Sequence, residues 1–184
     1  MGEIKNDANL LSGRDWTNND PKTYIVLGCP GSGTSLISNA LTKMGINMGT
    51  SNMSTNIWRH EDMGFVKLNG KIINGHWGYP PHHDTIMESA KNFTGEIEDL
   101  LKLRRQDHLF GWKDPRQPLT IEAYLPYLDD DAYLICIFRK PEYVLNSKKI
   151  SNQIGNRGGD MAKEYARRTI RAIMKFMDIK LEEL

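Results

Sequence analysis

Residues 24–35 read Tyr-Ile-Val-Leu-Gly-Cys-Pro-Gly-Ser-Gly-Thr-Ser, and the rest of the chain is best understood outward from them. The apolar run 23–27 has the length and composition of a strand covered on both faces of a parallel sheet. A glycine-rich turn follows. Leu36, Ile37, Ala40, Leu41 and Met44 then recur at helical spacing, which predicts a helix over 34–44 that Gly45 ends. A strand, a glycine turn and a helix N-terminus together make an anion cradle. Glycines let backbone N–H groups turn inward, the helix end carries partial positive charge, and hydroxyls add directed donors.

Set against the nucleotide-phosphate loop Gly-x-x-x-x-Gly-Lys-[Ser/Thr], Gly28, Gly33 and Ser35 fall into register, but Thr34 stands at the lysine position. That lysine neutralises the β- and γ-phosphates of a triphosphate, and a hydroxyl brings no charge to replace it. The segment therefore reads as a phosphate loop without triphosphate hydrolysis. The plain alternative is an ordinary strand–turn–helix junction.

Further along, Phe65, Leu68, Ile72 and Ile73 predict a helix over 64–74, and 76–84, with Gly78, Pro80 and Pro81, a loop. A single helix is expected over 85–105, a short strand over 109–112, and a partly helical stretch over 119–128. Residues 132–138 are the most apolar segment and read as the central strand. Pro141 opens a helix through 150, 155–159 forms a mobile loop, and an amphipathic helix runs from 160 to the end. Residues 46–56 are polar and poorly patterned. Strands alternating with helices imply an α/β, three-layer, P-loop-like fold with a small parallel sheet flanked by helices. The expected organisation is a loose N-terminal arm, 1–21, and one domain, 22–184.

With 184 residues, 24 basic and 23 acidic, the chain has no global field to recruit nucleic acid or a membrane surface, so any anion site must be local. No apolar run reaches membrane-spanning length, and the expected setting is the cytoplasm. Cys29 and Cys136 make neither a disulfide framework nor a metal set and read as small buried hydrophobes.

Ligands of open α/β sheets collect at the carboxyl ends of the strands, and three strand ends here carry polar clusters: 28–35, Lys113-Asp114-Pro115-Arg116, and Arg139-Lys140. In these segments the chain resembles the sulfotransferases that use 3′-phosphoadenosine 5′-phosphosulfate (PAPS). Cys29-Pro30-Gly31-Ser32-Gly33-Thr34-Ser35 is similar to their 5′-phosphosulfate loop. Leu134-Ile135-Cys136-Ile137-Phe138-Arg139-Lys140-Pro141, with Ser147 eight positions after Arg139, is similar to their 3′-phosphate motif. Gly111-Trp112-Lys113-Asp114-Pro115-Arg116 resembles a lysine–proline segment of many bacterial, viral and carbohydrate-directed members.

The resemblance implies that PAPS is the cosubstrate, that adenosine 3′,5′-bisphosphate is the product, and that no metal is needed. It places Pro30, Gly31, Ser32, Gly33, Thr34 and Ser35 around the 5′-phosphosulfate, and Arg139 and Ser147 on the 3′-phosphate. Gly31 departs from the family, which has Lys or Arg there to stabilise the leaving phosphate. Lys113 is the candidate substitute, with Arg116 as a second. The resemblance puts a general base in the stretch 58–65; Glu61 is favoured, with Asp62 and His60 behind it, and an acidic residue ahead of a helix also serves simply to offset the helix dipole.

His82 and His83 lack partners for a metal set, Trp77 and Tyr79 are candidates for an acceptor pocket, and Arg167, Arg168 and Arg171 read as the wet face of the last helix, with Glu164 paired to Arg168. The stripe Ile170, Ile173, Met174, Met177 and Leu181 is expected to cover the sheet, with monomer and homodimer both open. Three functions follow: a sulfotransferase acting on a hydroxyl or amine, a small nucleotide kinase with a degenerate loop, and a non-catalytic nucleotide-binding protein of the same fold.

Overall fold

The computed structural model describes residues 22–49, 61–75, 81–129, 132–145 and 158–182. They form an α/β structure around a three-stranded parallel sheet: β1 (Lys22–Gly28), β2 (Leu109–Lys113) and β3 (Ala132–Ile137), in the order β2-β1-β3. The register pairs Val26 with Lys113 on one side and Leu27 with Cys136 on the other. The helices are α1 (Thr34–Lys43), α2 (Met63–Ile72), α3 (His83–Ala90), α4 (Thr94–Arg104), α5 (Gln117–Thr120), α6 (Pro141–Leu145) and α7 (Gly158–Glu182).

The pleat of β1 divides the core. Ile25 and Leu27 join the larger cluster with Trp112 of β2 and with Phe65, Ile86, Ile97 and Tyr165 from the helices of one face. Val26 points the other way, to Leu41 of α1 and to Ile46 and Met48. Helices thus cover both faces of β1, which is why its residues read as one apolar run instead of an alternation.

Several expectations about elements change. Residues 132–138 were expected at the sheet's centre, yet β1 occupies it and β3 lies at an edge among the described residues, its side chains from Tyr133 to Ile137 only half-buried. Apolarity reports how a strand's faces are covered, not which strands hydrogen-bond to its edges. The helix expected over 85–105 is broken by a 3₁₀ turn at Lys91–Phe93. Asn92, Phe93, Thr94 and Gly95 are four weak helix formers in succession, and the chain redirects there. Residues 46–48, expected to be unpatterned, pair with β2: Asn47 bridges Phe110 in parallel and accepts from the Gly111 N–H at 2.9 Å. Ile46 and Met48 alternate inward around it, a period-2 signal too short to notice.

The last helix begins at Gly158, so Gly158 and Gly159 belong to it and not to a loop; the remainder of 155–159 and all of 1–21 lie outside the described residues. Its buried face is Met161, Ala162, Tyr165, Arg168, Thr169 and Ala172, whereas Ile170 and Met174 of the expected covering stripe are 51% and 62% exposed. Small and aromatic residues let α7 approach α5 and α6 closely. Arg168, expected to be solvated, is buried, donating to Glu164 at 2.8 Å and to the Pro81 carbonyl at 2.7 Å. No described helix is long and apolar enough to cross a membrane.

Candidate functional site

The carboxyl end of β1 turns over through Cys29–Ser32, closed by the Ser32 N–H donating to the Cys29 carbonyl at 3.0 Å. Proline followed by a glycine at φ 82° is the pairing a type II turn requires, and Gly31 supplies that left-handed residue. Gly33, at φ 106°, then launches α1, whose first turn has no side-chain cap. The Leu36 N–H already donates to the Gly33 carbonyl at 3.0 Å, and the N–H groups of Thr34 and Ser35 ahead of it lie at the positive end of the helix, the kind of position that holds anions.

Gly28 makes the fold-over sterically feasible. A Cβ there would stand 2.7 Å from Ser32 Oγ, 2.7 Å from Thr34 Cγ2 and 3.0 Å from the Ile137 carbonyl. Ser32 and Thr34 are buried, Ser35 half-buried, and Ser32 Oγ has no hydrogen-bond partner. A buried hydroxyl without a partner is unusual in a folded protein and leaves a hydrogen-bonding group available inside the turn.

From the edge strand, Arg139 reaches back to the loop. Its Nη1 donates to the Gly31 carbonyl at 2.8 Å, and its guanidinium lies 5.8 Å from the Tyr143 ring centroid. Ser147 lies outside the described residues, as do Trp77, Tyr79 and His60.

From the opposite strand comes Lys113, 1% exposed at the end of β2. Its Nζ donates to Glu61 Oε1 at 2.6 Å and to Ser35 Oγ at 3.3 Å. The ammonium thus bridges the glycine turn after β1 and the carboxylate ahead of α2. Arg116, the second candidate named from the sequence, sits in different surroundings. Arg116 is sequestered beneath α2, with its guanidinium on both oxygens of Asp114 (2.7–3.1 Å) and on the Val66 carbonyl at 2.6 Å. Gly31 also has a local reason to be glycine, because a lysine there would have to adopt its left-handed backbone.

Asp62, considered as a base, is instead the N-cap of α2: it accepts from the Gly64 N–H at 2.7 Å, pairs with Arg104 and is fully buried. The two adjacent acids have parted, one capping the helix and the other turned to Lys113. His83 is held between Asp84 at 3.0 Å and Glu122 at 3.1 Å, and His82 is exposed. Among the described residues no group of three or more His, Cys, Asp or Glu side chains could hold a metal. Burial pushes the Cys29 thiol up to about 12 and Cys136 to about 11, so neither supplies a thiolate.

A buried polar network behind Lys113 was not anticipated. Asn69 donates to Asp114 (3.1 Å) and Gln117 (2.7 Å) and accepts from Thr120 and Tyr124, both at 2.8 Å, while Trp112 Nε1 donates to Gln117 Oε1 at 2.8 Å. The available signal was an asparagine on the apolar face of α2, among Phe65, Leu68 and Ile72. Stacking of Phe65 on Trp112, with ring centroids 3.9 Å apart, closes this layer over β2.

Compared with models of protein families, with curated proteins and with solved structures, the chain has no match. Its geometry offers a backbone and hydroxyl cradle, one cation on each side of it, and a carboxylate 2.6 Å from the inner cation. Such a set can hold an anionic group, stabilise charge developing on it, and accept a proton from a nucleophile beside it.

Proposed function

We propose that this protein transfers a sulfuryl group from PAPS to a hydroxyl or amine acceptor. The observation that carries the proposal is the position of Lys113, whose ammonium touches both the loop hydroxyl of Ser35 and the carboxylate of Glu61. In this reading the loop N–H groups and the hydroxyls of Ser32, Thr34 and Ser35 hold the 5′-phosphosulfate, and Arg139 takes the 3′-phosphate. Glu61 accepts the acceptor's proton as the acceptor oxygen or nitrogen bonds to sulfur. The bond from sulfur to the bridging oxygen breaks, and adenosine 3′,5′-bisphosphate leaves with the electron pair. Lys113 stabilises the charge growing on that oxygen, the role that Gly31 cannot fill.

Two physical points support the reading. The loop has no lysine at position 34, which disfavours a triphosphate, and a second cation stands at the neighbouring strand end, which suits a ligand charged at both ends. The test is transfer of radiolabelled sulfate from PAPS to a panel of hydroxyl and amine acceptors. The expected result is labelled product that depends on Lys113. Phosphoryl transfer from ATP–Mg in its place would establish the kinase reading, and binding of the nucleotide with no transfer to any acceptor the non-catalytic one.

A further inference from the structure

Glu61 and Lys113 share a feature that a simple ion pair does not need. Each is followed in the sequence by a buried aspartate, Asp62 (0% exposed) and Asp114 (1% exposed), and each aspartate is paired to its own arginine, Arg104 at 2.6 Å and Arg116 at 2.7 Å. We infer that these two Asp–Arg pairs are positioning devices that set the Glu61–Lys113 contact, with Asp62–Arg104 aiming the base and Asp114–Arg116 aiming the cation.

Asp62 does more than cap a helix. Capping needs one acceptor, which its Oδ1 provides to Gly64, and a serine would do as well. A fully buried carboxylate is unfavourable unless its charge is met, and Arg104 reaches it from α4 through an ion pair with Oδ2. The surroundings leave it no freedom: Gly49, at φ 81°, lies so near that a Cβ would come within 2.5 Å of Oδ2, and a Cβ at Gly64 would come within 3.0 Å of Oδ1. The Asp62 side chain is held by Gly64, Arg104 and the close approach of Gly49, and Glu61 is its immediate neighbour in the chain.

Asp114 mirrors this arrangement. It receives the Arg116 backbone N–H at 2.9 Å, the guanidinium, and Asn69 of α2 at 3.1 Å, while Arg116 also grips the Val66 carbonyl. The helix that presents Glu61 is thereby fastened to the strand end that presents Lys113. Displacing either partner by about 1 Å is enough to cost on the order of a hundredfold in a positioned reaction.

The kinetic consequence rests on the proposed roles of Glu61 and Lys113, whereas the structural coupling does not. Two double-mutant cycles separate them. In the first, Arg104→Met lowers kcat on the order of a hundredfold with the KM for PAPS unchanged, Arg104→Lys restores most of it, and the loss disappears in a Glu61→Gln background. In the second, read by urea unfolding without any substrate, Arg104→Met and Lys113→Met are non-additive, because freeing Glu61 weakens what Lys113 holds. Asp62→Asn keeps the cap and removes the charge, and it serves in both cycles if Arg104→Met does not fold. Additive stability effects overturn the inference whatever the activity. Non-additive stability with no transfer from PAPS sustains the inference and sinks the sulfotransferase reading.

Discussion

Arg139 Nη1 donates to the carbonyl oxygen of Gly31 at 2.8 Å across 108 residues of sequence. This bond joins the end of β3 to the glycine turn at the end of β1, as two strands paired in parallel with Gly28 opposite Ile137 would place them. A ligand with an anionic group on the loop and another near Arg139 can therefore be held by both at once. Had the two segments faced different sides of the sheet, no single nucleotide could join them.

Replacing Lys113 by Met should remove transfer by two to three orders of magnitude, roughly the loss seen when one donor to developing charge is deleted. It should also destabilise the fold by on the order of 3 kcal/mol, because Glu61 loses the partner of a largely buried pair. Adding Glu61→Gln should recover much of the stability and none of the activity. Urea unfolding and single-turnover sulfate transfer on the three proteins check both halves.

The loop's glycines separate by mechanism. Gly28→Ala places a methyl 2.7 Å from Ser32 Oγ and Thr34 Cγ2, and overpacking of that kind costs about 1–3 kcal/mol with loss of the anion site. Gly31→Lys, which restores the residue expected from the resemblance, should cost about 1–2 kcal/mol through its left-handed backbone. It should not rescue Lys113→Met. Calorimetric nucleotide binding and thermal unfolding distinguish the two glycines.

Acid should loosen the docking of α7. Burial works to raise the Glu164 carboxyl, but the hydrogen bond and charge of Arg168, with Arg167 beside it, outweigh burial and hold it below its ordinary value of 4.5. A depressed carboxyl contributes stability that is present above the unfolded value and lost as pH falls through the lower folded one. The urea midpoint of the native protein should therefore drop more steeply below pH 4.5 than that of Glu164→Gln. Parallel curves for the two proteins would contradict this assignment.

Much of this site was legible because local chemistry and local structure coincide in it. The apolar run of β1, its glycine turn and the start of α1 lie close together in the sequence, and all three form as read. Glu61 and Lys113 could be nominated one at a time, but their 2.6 Å contact depends on α2 being fastened to β2 by Asn69, Asp114 and Arg116, which no local pattern reveals. Arg168 illustrates the same limit: its spacing from Glu164 announces their pairing, yet its burial depends on the Pro81 carbonyl arriving from another part of the chain. The edge position of β3 was hidden because composition encodes the covering of faces and not strand order.

The most direct test of the account is titration calorimetry of native protein and Arg139→Met with adenosine 3′,5′-bisphosphate, AMP and ATP–Mg. The native protein should bind the bisphosphate most tightly. Arg139→Met should weaken that binding about ten- to a hundredfold, as loss of a charged hydrogen bond does, and leave AMP almost unaffected. Preference for ATP–Mg, or an equal loss for AMP and the bisphosphate, would contradict the claim that one nucleotide is held at both of its charged ends.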